Sequence, residues 1–230
     1  MIRSDKRGLW PKVIEAYVGW QVRSAFRGVW VRGALPEGGG LLVYANHPGF
    51  WDGFVAHQLG LAAGWDAYAL MEEQNLARYR FLSRIGAFSV RAGDAASASE
   101  SLRYARRLLQ RPRSAVFVFP EGALHPGTQL GPLRRGVEVL ARSCRARCVP
   151  VAIRYAVFEH QLPDVLVEVG EAHGPEPMEG FARRLGELVG RVASAASPDG
   201  FRQVVRGRRS VAERWDAFRR LKTVPTLYKA

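Results

Sequence analysis

Cysteine is scarce in this chain of 230 residues, which contains only Cys144 and Cys148. Two cysteines can build neither a disulfide framework nor a four-thiolate zinc site. Long apolar runs are also missing, since none reaches the roughly 18 residues that a membrane-spanning helix needs. Residues 1–6 are polar and no apolar stretch of a secretory signal follows them. The sequence therefore predicts a cytoplasmic protein that contacts membranes only at their surface.

Acidic residues and lysines are both few relative to arginine. The 34 Lys and Arg residues outnumber the 21 Asp and Glu residues, which gives a net charge of +13, and only four of the cations are lysines. Arginine pairs with phosphate oxygens through two donors at once, so the surface favours nucleic acid, anionic lipid headgroups, or phosphorylated and CoA-type substrates. A basic nucleic-acid-binding protein stays the non-enzymatic alternative, although no helix-turn-helix, zinc or aromatic RNA-binding motif is present.

Short apolar runs alternate with amphipathic segments along most of the chain. Strands are predicted at 41–45, 66–71, 87–90, 115–119, 148–155 and 165–169. Helices are predicted at 51–63, 96–110 and 134–144, and from 178 onward with a break near 197–200. This alternation predicts an α/β fold with a mostly parallel central sheet covered by helices.

An amphipathic N-terminal helix is predicted over residues 9–31. Lys12 and Arg23 lie on its polar side, whereas aromatic and aliphatic residues cover the other side. Aromatic rings beside cations are typical of helices that lie in a membrane interface, and the interior charges disfavour crossing the bilayer. The alternative is that the apolar side packs on the α/β body. A stretch rich in glycine and proline, 33–40, follows the helix.

A histidine and an aspartate follow the first predicted strand. His47 comes directly after the strand, and Asp52 lies five residues later near a helix start. A carboxylate there can accept a hydrogen bond from one ring nitrogen of His47 and leave the other nitrogen as a general base. This is the base and orienting half of a catalytic triad without a protein nucleophile, so the nucleophile is predicted to be a substrate hydroxyl. The alternative is that Asp52 only caps the helix.

A second polar cluster follows the strand predicted at 115–119. It consists of Glu121 and Gly122 after Phe119 and Pro120. Because ligands collect at the carboxyl ends of parallel strands, we expect this cluster at the same edge of the sheet as His47. The alternative is an ordinary turn with a solvated carboxylate.

The two clusters together resemble motifs of the glycerolipid acyltransferase family, the bacterial 1-acylglycerol-3-phosphate acyltransferases and their relatives. Residues 46–52 resemble the family's His-x4-Asp block, and residues 119–122 match its Phe-Pro-Glu-Gly block. Three further segments resemble the remaining blocks in the same order: 85–91, 133–136 and 149–152. The five blocks together extend over about half of the chain.

The resemblance implies an enzyme that moves a fatty acyl chain from acyl-CoA or acyl-carrier protein to a hydroxyl group, without a resident cofactor or metal. It implies that His47 deprotonates the acceptor hydroxyl and that Asp52 orients His47. Glu121 and Gly122 are implied to position the acceptor. The remaining implied binding residues are Arg91, Arg134 and Arg135 for phosphate groups and Pro150 for the acyl slot. Arg91 directly follows Val90, where the family usually has an Asp-Arg pair.

The implied acceptor is a lysolipid, with 1-acylglycerol-3-phosphate first. The bulky Trp51 before Asp52 indicates a subgroup with a different acceptor, so another lysophospholipid and a glycosylated carotenoid or other glycolipid remain alternatives. A lipid hydrolase is disfavoured because no Gly-x-Ser-x-Gly motif exists in the chain.

The predicted organisation has two parts. Residues 1–34 form a membrane-interface segment, and residues 35–230 form the acyltransferase domain, which ends in a basic helix. The expected location is the inner face of the cell membrane, with the protein bound at the surface and no nucleic acid as partner.

Overall fold

The computed structural model describes residues 1–222, and the side chains from Arg220 onward lie outside the description. The strands are β1 (Gly28–Arg32), β2 (Leu41–Ala45), β3 (Asp66–Glu72), β4 (Ala87–Val90), β5 (Ser114–Val118), β6 (Arg147–Ala156), β7 (Asp164–Val169) and β8 (Arg202–Arg206). The α-helices are α1 (Trp10–Ala25), α2 (Asp52–Ala63), α3 (Glu73–Arg78), α4 (Ala95–Leu109), α5 (Gly136–Cys144), α6 (Met178–Ala193) and α7 (Val211–Lys222). A 3₁₀ helix, Arg80–Ile85, precedes β4.

The strands form one sheet in the order β4-β3-β5-β2-β6-β7-β1-β8. Neighbouring strands are parallel except for the antiparallel pairs β6–β7 and β1–β8. The predicted α/β fold with a mostly parallel, helix-covered sheet is therefore confirmed. Because β2 lies between β5 and β6, the loops that follow β2 and β5 leave the sheet side by side.

Helices cover both faces of the sheet. On one face α1 and α2 pack against alternate strand residues such as Val43 and Val149, and on the other face α4, α5 and α6 pack against Leu42 and Cys148. All five residues of β2 are buried, as expected for a central strand covered on both faces. The end of β2 is thereby fixed rigidly where the polar cluster begins.

The helix predicted over residues 9–31 is wrong beyond Ala25. Phe26 is extended, and Gly28–Arg32 forms strand β1, which pairs with β7. Val29 and Val31 are buried while the residues between and after them are half-exposed, a period of two that is typical of a strand and not of a helix. Part of the predicted segment 1–34 therefore belongs to the central sheet.

The C-terminal region contains a strand that the sequence pattern did not predict. Strand β8 pairs with β1 at the edge of the sheet, between α6 and α7. Helix α7 begins with a capping box, in which Ser210 and Glu213 each accept a hydrogen bond from the other's backbone N–H. The predicted basic tail continues into residues 223–230, which lie outside the described residues.

No helix among the described residues is both long enough and apolar enough to cross a lipid bilayer.

Candidate active site

Asn46 fixes the point at which the chain leaves the sheet. Its side-chain oxygen accepts a hydrogen bond from the Ile153 N–H at 2.7 Å, and its amide donates to the Ile153 carbonyl at 3.0 Å. The β2–β6 backbone ladder ends at Ala45 and Val151, so this buried side chain continues the pairing by one step. The loop that starts with the next residue therefore begins from a fixed position.

His47 and Asp52 lie in contact across this loop. The His47 Nδ1 atom is 2.6 Å from Asp52 Oδ2, which also accepts the Gly49 N–H at 2.9 Å. The Asp52 side chain is 0% exposed and that of His47 is 24% exposed. Because an ionised carboxylate only accepts hydrogen bonds, Nδ1 carries the proton of the neutral ring and Nε2 presents a lone pair.

Two aromatic residues complete the surroundings of the pair. The Phe119 ring stacks on the His47 ring with centroids 4.5 Å apart and planes 22° apart. The Tyr155 hydroxyl, from the far end of β6, donates to Asp52 Oδ1. The hydrogen bond to Asp52 and the stacking contact with Phe119 together fix the orientation of the imidazole ring.

Glu121 holds the backbone around His47. Its side chain is almost fully buried, and its oxygens accept the His47 N–H at 2.5 Å and the Gly131 N–H at 2.7 Å. The His125 N–H also donates to the His47 carbonyl at 2.8 Å. The Glu121 carboxylate therefore joins the loop after β2 to the loop after β5.

Gly122 and Arg134 lie against each other beside this carboxylate. Gly122 has a φ of +67°, and a Cβ atom there would lie 2.5 Å from Arg134 Nε. The Arg134 N–H donates to the Pro120 carbonyl at 2.7 Å. Arg134 and Arg135 are both exposed. The structure therefore brings a glycine in the left-handed conformation and two cations to the end of the sheet that carries His47.

Residues 29–154 match the family described as Acyltransferase. This range covers more than half of the chain and contains the whole cluster around His47. The chain belongs to the acyltransferase family. The prediction of an acyltransferase enzyme is thereby confirmed.

The fold of this acyltransferase is similar to that of a solved structure, the 1-acyl-sn-glycerophosphate (LPA) acyltransferase PlsC from Thermotoga maritima. The TM-score is 0.57 at 18% sequence identity, and the match covers 81% of each chain. No curated protein matches the sequence.

Arg91 lies away from the pair in this acyltransferase. It follows the edge strand β4, three positions from β2 in the sheet, or about 14 Å at the usual strand spacing. Its guanidinium pairs with Glu73 at 2.6 Å and with Asp94 at 3.1 Å. Arg91, together with Ser89, lowers the pKa of Glu73 to about 2. Two carboxylates therefore already neutralise this cation.

Pro150 is not brought to the pair either. It lies opposite Tyr44 in the β2–β6 ladder, and Tyr44 is three residues before His47 in the chain. A Cβ atom on Gly170 would lie 2.7 Å from Pro150 Cγ and 3.0 Å from a Leu188 methyl carbon, which places Pro150 on the α6 face of the sheet. A role of Pro150 in the acyl slot stays a prediction.

Metal ligands do not cluster in the part of the chain that the structure describes. Within residues 1–222, no group of three or more His, Cys, Asp and Glu side chains is placed to hold a metal ion.

Asn46 and Tyr155 belong to the site but were not predicted from the sequence. Asn46 stands directly before His47 at the end of a buried strand, and its polarity at that position was a usable signal. Tyr155 is separated from Asp52 by 103 residues. No local pattern connects two residues so far apart, because their contact depends on the order of strands in the sheet.

Glu121→Gln tests the anchoring by this carboxylate. The amide keeps one acceptor but turns a donor towards a backbone N–H, so we expect the free energy of unfolding to fall by about 1–3 kcal/mol. Urea unfolding followed by tryptophan fluorescence measures it. The matched control is Glu171→Gln at an exposed carboxyl, with an expected change within about 0.5 kcal/mol. Equal changes in the two variants would contradict the anchoring role.

Proposed function

We propose that the protein transfers a fatty acyl chain from an acyl-CoA or acyl-carrier-protein thioester to the hydroxyl of a lysolipid, with 1-acylglycerol-3-phosphate as the first acceptor. The observation that carries this proposal is the His47 ring, whose Nδ1 is fixed on Asp52 and whose Nε2 is left as a base. The family membership supplies the reaction class.

The chemistry follows from that ring. Nε2 accepts the proton of the acceptor hydroxyl, and the resulting oxygen nucleophile attacks the thioester carbonyl carbon. The C–S bond then breaks, and the proton on His47 passes to the departing thiolate. Asp52 stabilises the imidazolium in between, because its buried negative charge lies 2.6 Å from Nδ1. Such a positioned base contributes typically 10²–10⁴-fold to the rate.

His47→Ala tests the base. We expect the turnover number to fall by about 10²–10⁴-fold while the circular-dichroism spectrum stays that of a folded protein. Asp52→Asn is expected to lose less, because it removes orientation and charge but not the base itself. The assay incubates purified protein with labelled acyl-CoA and a panel of hydroxyl-bearing lipids, and mass spectrometry identifies the product.

The same assay separates the alternatives. If a glycosylated acceptor is acylated faster than any lysophospholipid, the acceptor is a glycolipid and not a lysophospholipid. Release of free fatty acid without an acylated lipid would indicate a hydrolase. The nucleic-acid alternative needs a separate binding experiment, in which salt-sensitive retention of DNA or RNA would support it. Near-normal turnover of folded His47→Ala protein would contradict the base mechanism.

The charged acceptor is supported by Arg134 and Arg135. Both are exposed, and Arg134 lies directly against Gly122; neither arginine is in an ion pair with a carboxylate among the described residues. Arg91, by contrast, already binds Glu73 and Asp94. We therefore propose Arg134 as the first candidate for contact with the acceptor phosphate. Arg91 is the second candidate.

Arg134→Ala and Arg91→Ala form a matched pair that tests this order. Loss of a charge-assisted hydrogen bond of about 1.5–3 kcal/mol raises the KM for a phosphorylated acceptor by about ten- to a hundredfold. We expect this increase for Arg134→Ala and a smaller one for Arg91→Ala, with little change for an uncharged glycolipid acceptor. Steady-state kinetics with both acceptors measure it. Equal losses with both acceptors would assign Arg134 to the donor's phosphates.

Membrane binding is supported by the outer face of α1. This face carries four exposed side chains spaced along one stripe: Trp10, Val13, Tyr17 and Trp20. The opposite face buries Val18 and Val22 against the protein body. One face of the helix packs on the body, as the alternative expected, and we propose that the exposed face binds a lipid surface.

A series of aromatic rings leads from this stripe to the catalytic loop. Tyr17 contacts Phe81 at 6.1 Å between ring centroids, Phe81 contacts Tyr79 at 6.4 Å, and Tyr79 contacts Phe50 at 6.3 Å. Phe50 is 59% exposed and lies between His47 and Asp52 in the chain. We propose that the membrane surface extends along these rings, on the inner face of the cell membrane, so that a lipid acceptor reaches the loop directly.

Trp10→Ser combined with Val13→Ser tests the membrane face. We expect weaker sedimentation with vesicles of phosphatidylglycerol and phosphatidylcholine, because apolar contact with the interface is lost. The control is Val139→Ser, an exposed valine on α5 across the sheet from α1. Point variants suit this test because truncation would remove the buried Val18 and strand β1. Equal vesicle binding by all three proteins would contradict the assignment.

A further inference from the structure

Asp52 has a third hydrogen-bond donor that none of the recognised sequence blocks assigns. Its Oδ2 atom is shared by His47 and Gly49, and its Oδ1 atom accepts from the Tyr155 hydroxyl. Among the described residues, Tyr155 alone donates to Oδ1. Without it, one oxygen of a fully buried carboxylate would be unpaired, which is a costly arrangement.

Tyr155 reaches Asp52 because β6 is longer than its neighbour. Strand β2 ends opposite Val151, whereas β6 continues to Ala156 by pairing with β7 alone. The last residues of β6 therefore extend beyond the end of β2, beside the loop that carries His47. The position of Tyr155 is a consequence of the sheet and not of the loop itself.

The Tyr155 ring is held on both sides. It stacks on Phe26 with centroids 5.5 Å apart and planes 22° apart. A Cβ atom on Gly49 would lie 3.1 Å from Tyr155 Cε2, so the loop backbone passes closely over the ring. The hydroxyl is thus aimed at Asp52 by packing as well as by its hydrogen bond.

The hydroxyl remains a donor over the working pH range. Burial, followed by the charge of Asp52 and the hydrogen bond to it, raises the pKa of Tyr155 above its ordinary value. Tyr155 consequently does not exchange a proton with Asp52 or with the substrate. What the hydroxyl contributes at the site is its hydrogen bond to the carboxylate.

We propose that Tyr155 is a positioning residue of the acyl-transfer reaction, which fixes the second oxygen of Asp52 and sets how strongly the carboxylate attracts the proton on His47. This proposal rests on the proposed function, in which His47 is the base. A hydrogen bond donated to a carboxylate offsets part of its charge, so the Tyr155 hydroxyl makes Asp52 a weaker partner for protonated His47. Its removal should therefore favour protonated His47.

The other titratable and charged groups around the loop make their contacts without Tyr155. Glu121 binds the backbone N–H groups of His47 and Gly131, and the His125 N–H binds the His47 carbonyl. Arg134 lies against Gly122. The contacts of these groups do not involve Tyr155, so a change in the titration of His47 reports on Asp52.

Tyr155→Phe is the test, because it removes the hydroxyl and keeps the ring that stacks on Phe26. We expect the midpoint of the His47 ring titration, followed by NMR, to move to higher pH by roughly half to one unit. The acid limb of the kcat/KM profile should move in the same direction. At the pH optimum, we expect kcat to fall about tenfold with less change in KM.

Tyr68→Phe is the matched control. The Tyr68 hydroxyl also donates to a carboxylate, Asp66 Oδ2 at 2.6 Å, and Tyr68 is nearly fully buried. It lies near the start of β3, towards the amino-terminal ends of the parallel strands, whereas His47 follows the carboxyl end of β2. We expect Tyr68→Phe to leave the His47 midpoint and the pH profile unchanged, whatever it does to stability.

An unchanged His47 midpoint in folded Tyr155→Phe protein would overturn the proposal even if activity falls, because the loss would then be structural. An equal shift in Tyr68→Phe would overturn it as well. The unaltered protein gives a measurement that needs no Tyr155 variant: the hydroxyl proton of Tyr155 should change its chemical shift as His47 titrates, and should lose this response in Asp52→Asn. A Tyr155 hydroxyl signal that does not change as His47 titrates would contradict the proposed coupling of Tyr155 to His47 through Asp52.

These outcomes are separate from the failure of the proposed function. The NMR titration reports the contact between Tyr155, Asp52 and His47 without any turnover. His47→Ala with normal turnover would remove the proposed function while leaving the titration result standing. A normal His47 midpoint in Tyr155→Phe would remove the positioning role while leaving His47 as the base.

Discussion

The buried carboxylate of Asp52 is the constraint on which the site depends. An ionised group without exposed surface is stable only when its oxygens are paired, and Asp52 obtains donors from three places: the His47 ring, the Gly49 backbone and the Tyr155 hydroxyl. These donors belong to the loop after β2 and to a strand about 100 residues later in the chain. Pairing the charge therefore fixes the conformation of the loop and the tautomer of the histidine together.

A second buried carboxylate, Glu121, does for the backbone of His47 what Asp52 does for its ring. It binds the His47 N–H from the neighbouring loop, while the Asn46 amide pairs the preceding residue with β6. The histidine is thus restrained at its backbone, at Nδ1 and, through Phe119, at its ring face. Only Nε2 is left to react, which is the arrangement that a general base needs. Preorganisation of this kind requires the central position of β2, because only there do both neighbouring strands lie within reach.

The sequence predicted the parts of this arrangement that depend on local pattern. The buried strands, most helices, and the pairing of His47 with Asp52 follow from apolar runs and a five-residue spacing. The edge elements did not: β8 is mostly exposed, and Gly28–Arg32 continued the apolar pattern of the preceding helix without a break. Contacts that depend on strand order, such as Tyr155 with Asp52, have no local signal. The neutralisation of Arg91 by Glu73 and Asp94 was equally hidden, because these residues meet only after β3 and β4 pair.

The end of α1 connects the proposed membrane face to the His47–Asp52 pair. Phe26, the residue after α1, contacts Trp51 in the loop after β2 and stacks on Tyr155, which in turn binds Asp52. The helix that presents its exposed stripe outward is therefore linked, through the residue at its end, to the residues that contact His47. Since interiors are close-packed and deform little, the depth of α1 in a lipid surface would fix the height of Nε2 above that surface. An acceptor whose acyl chain stays in the bilayer would then meet the base at a distance set by the fold.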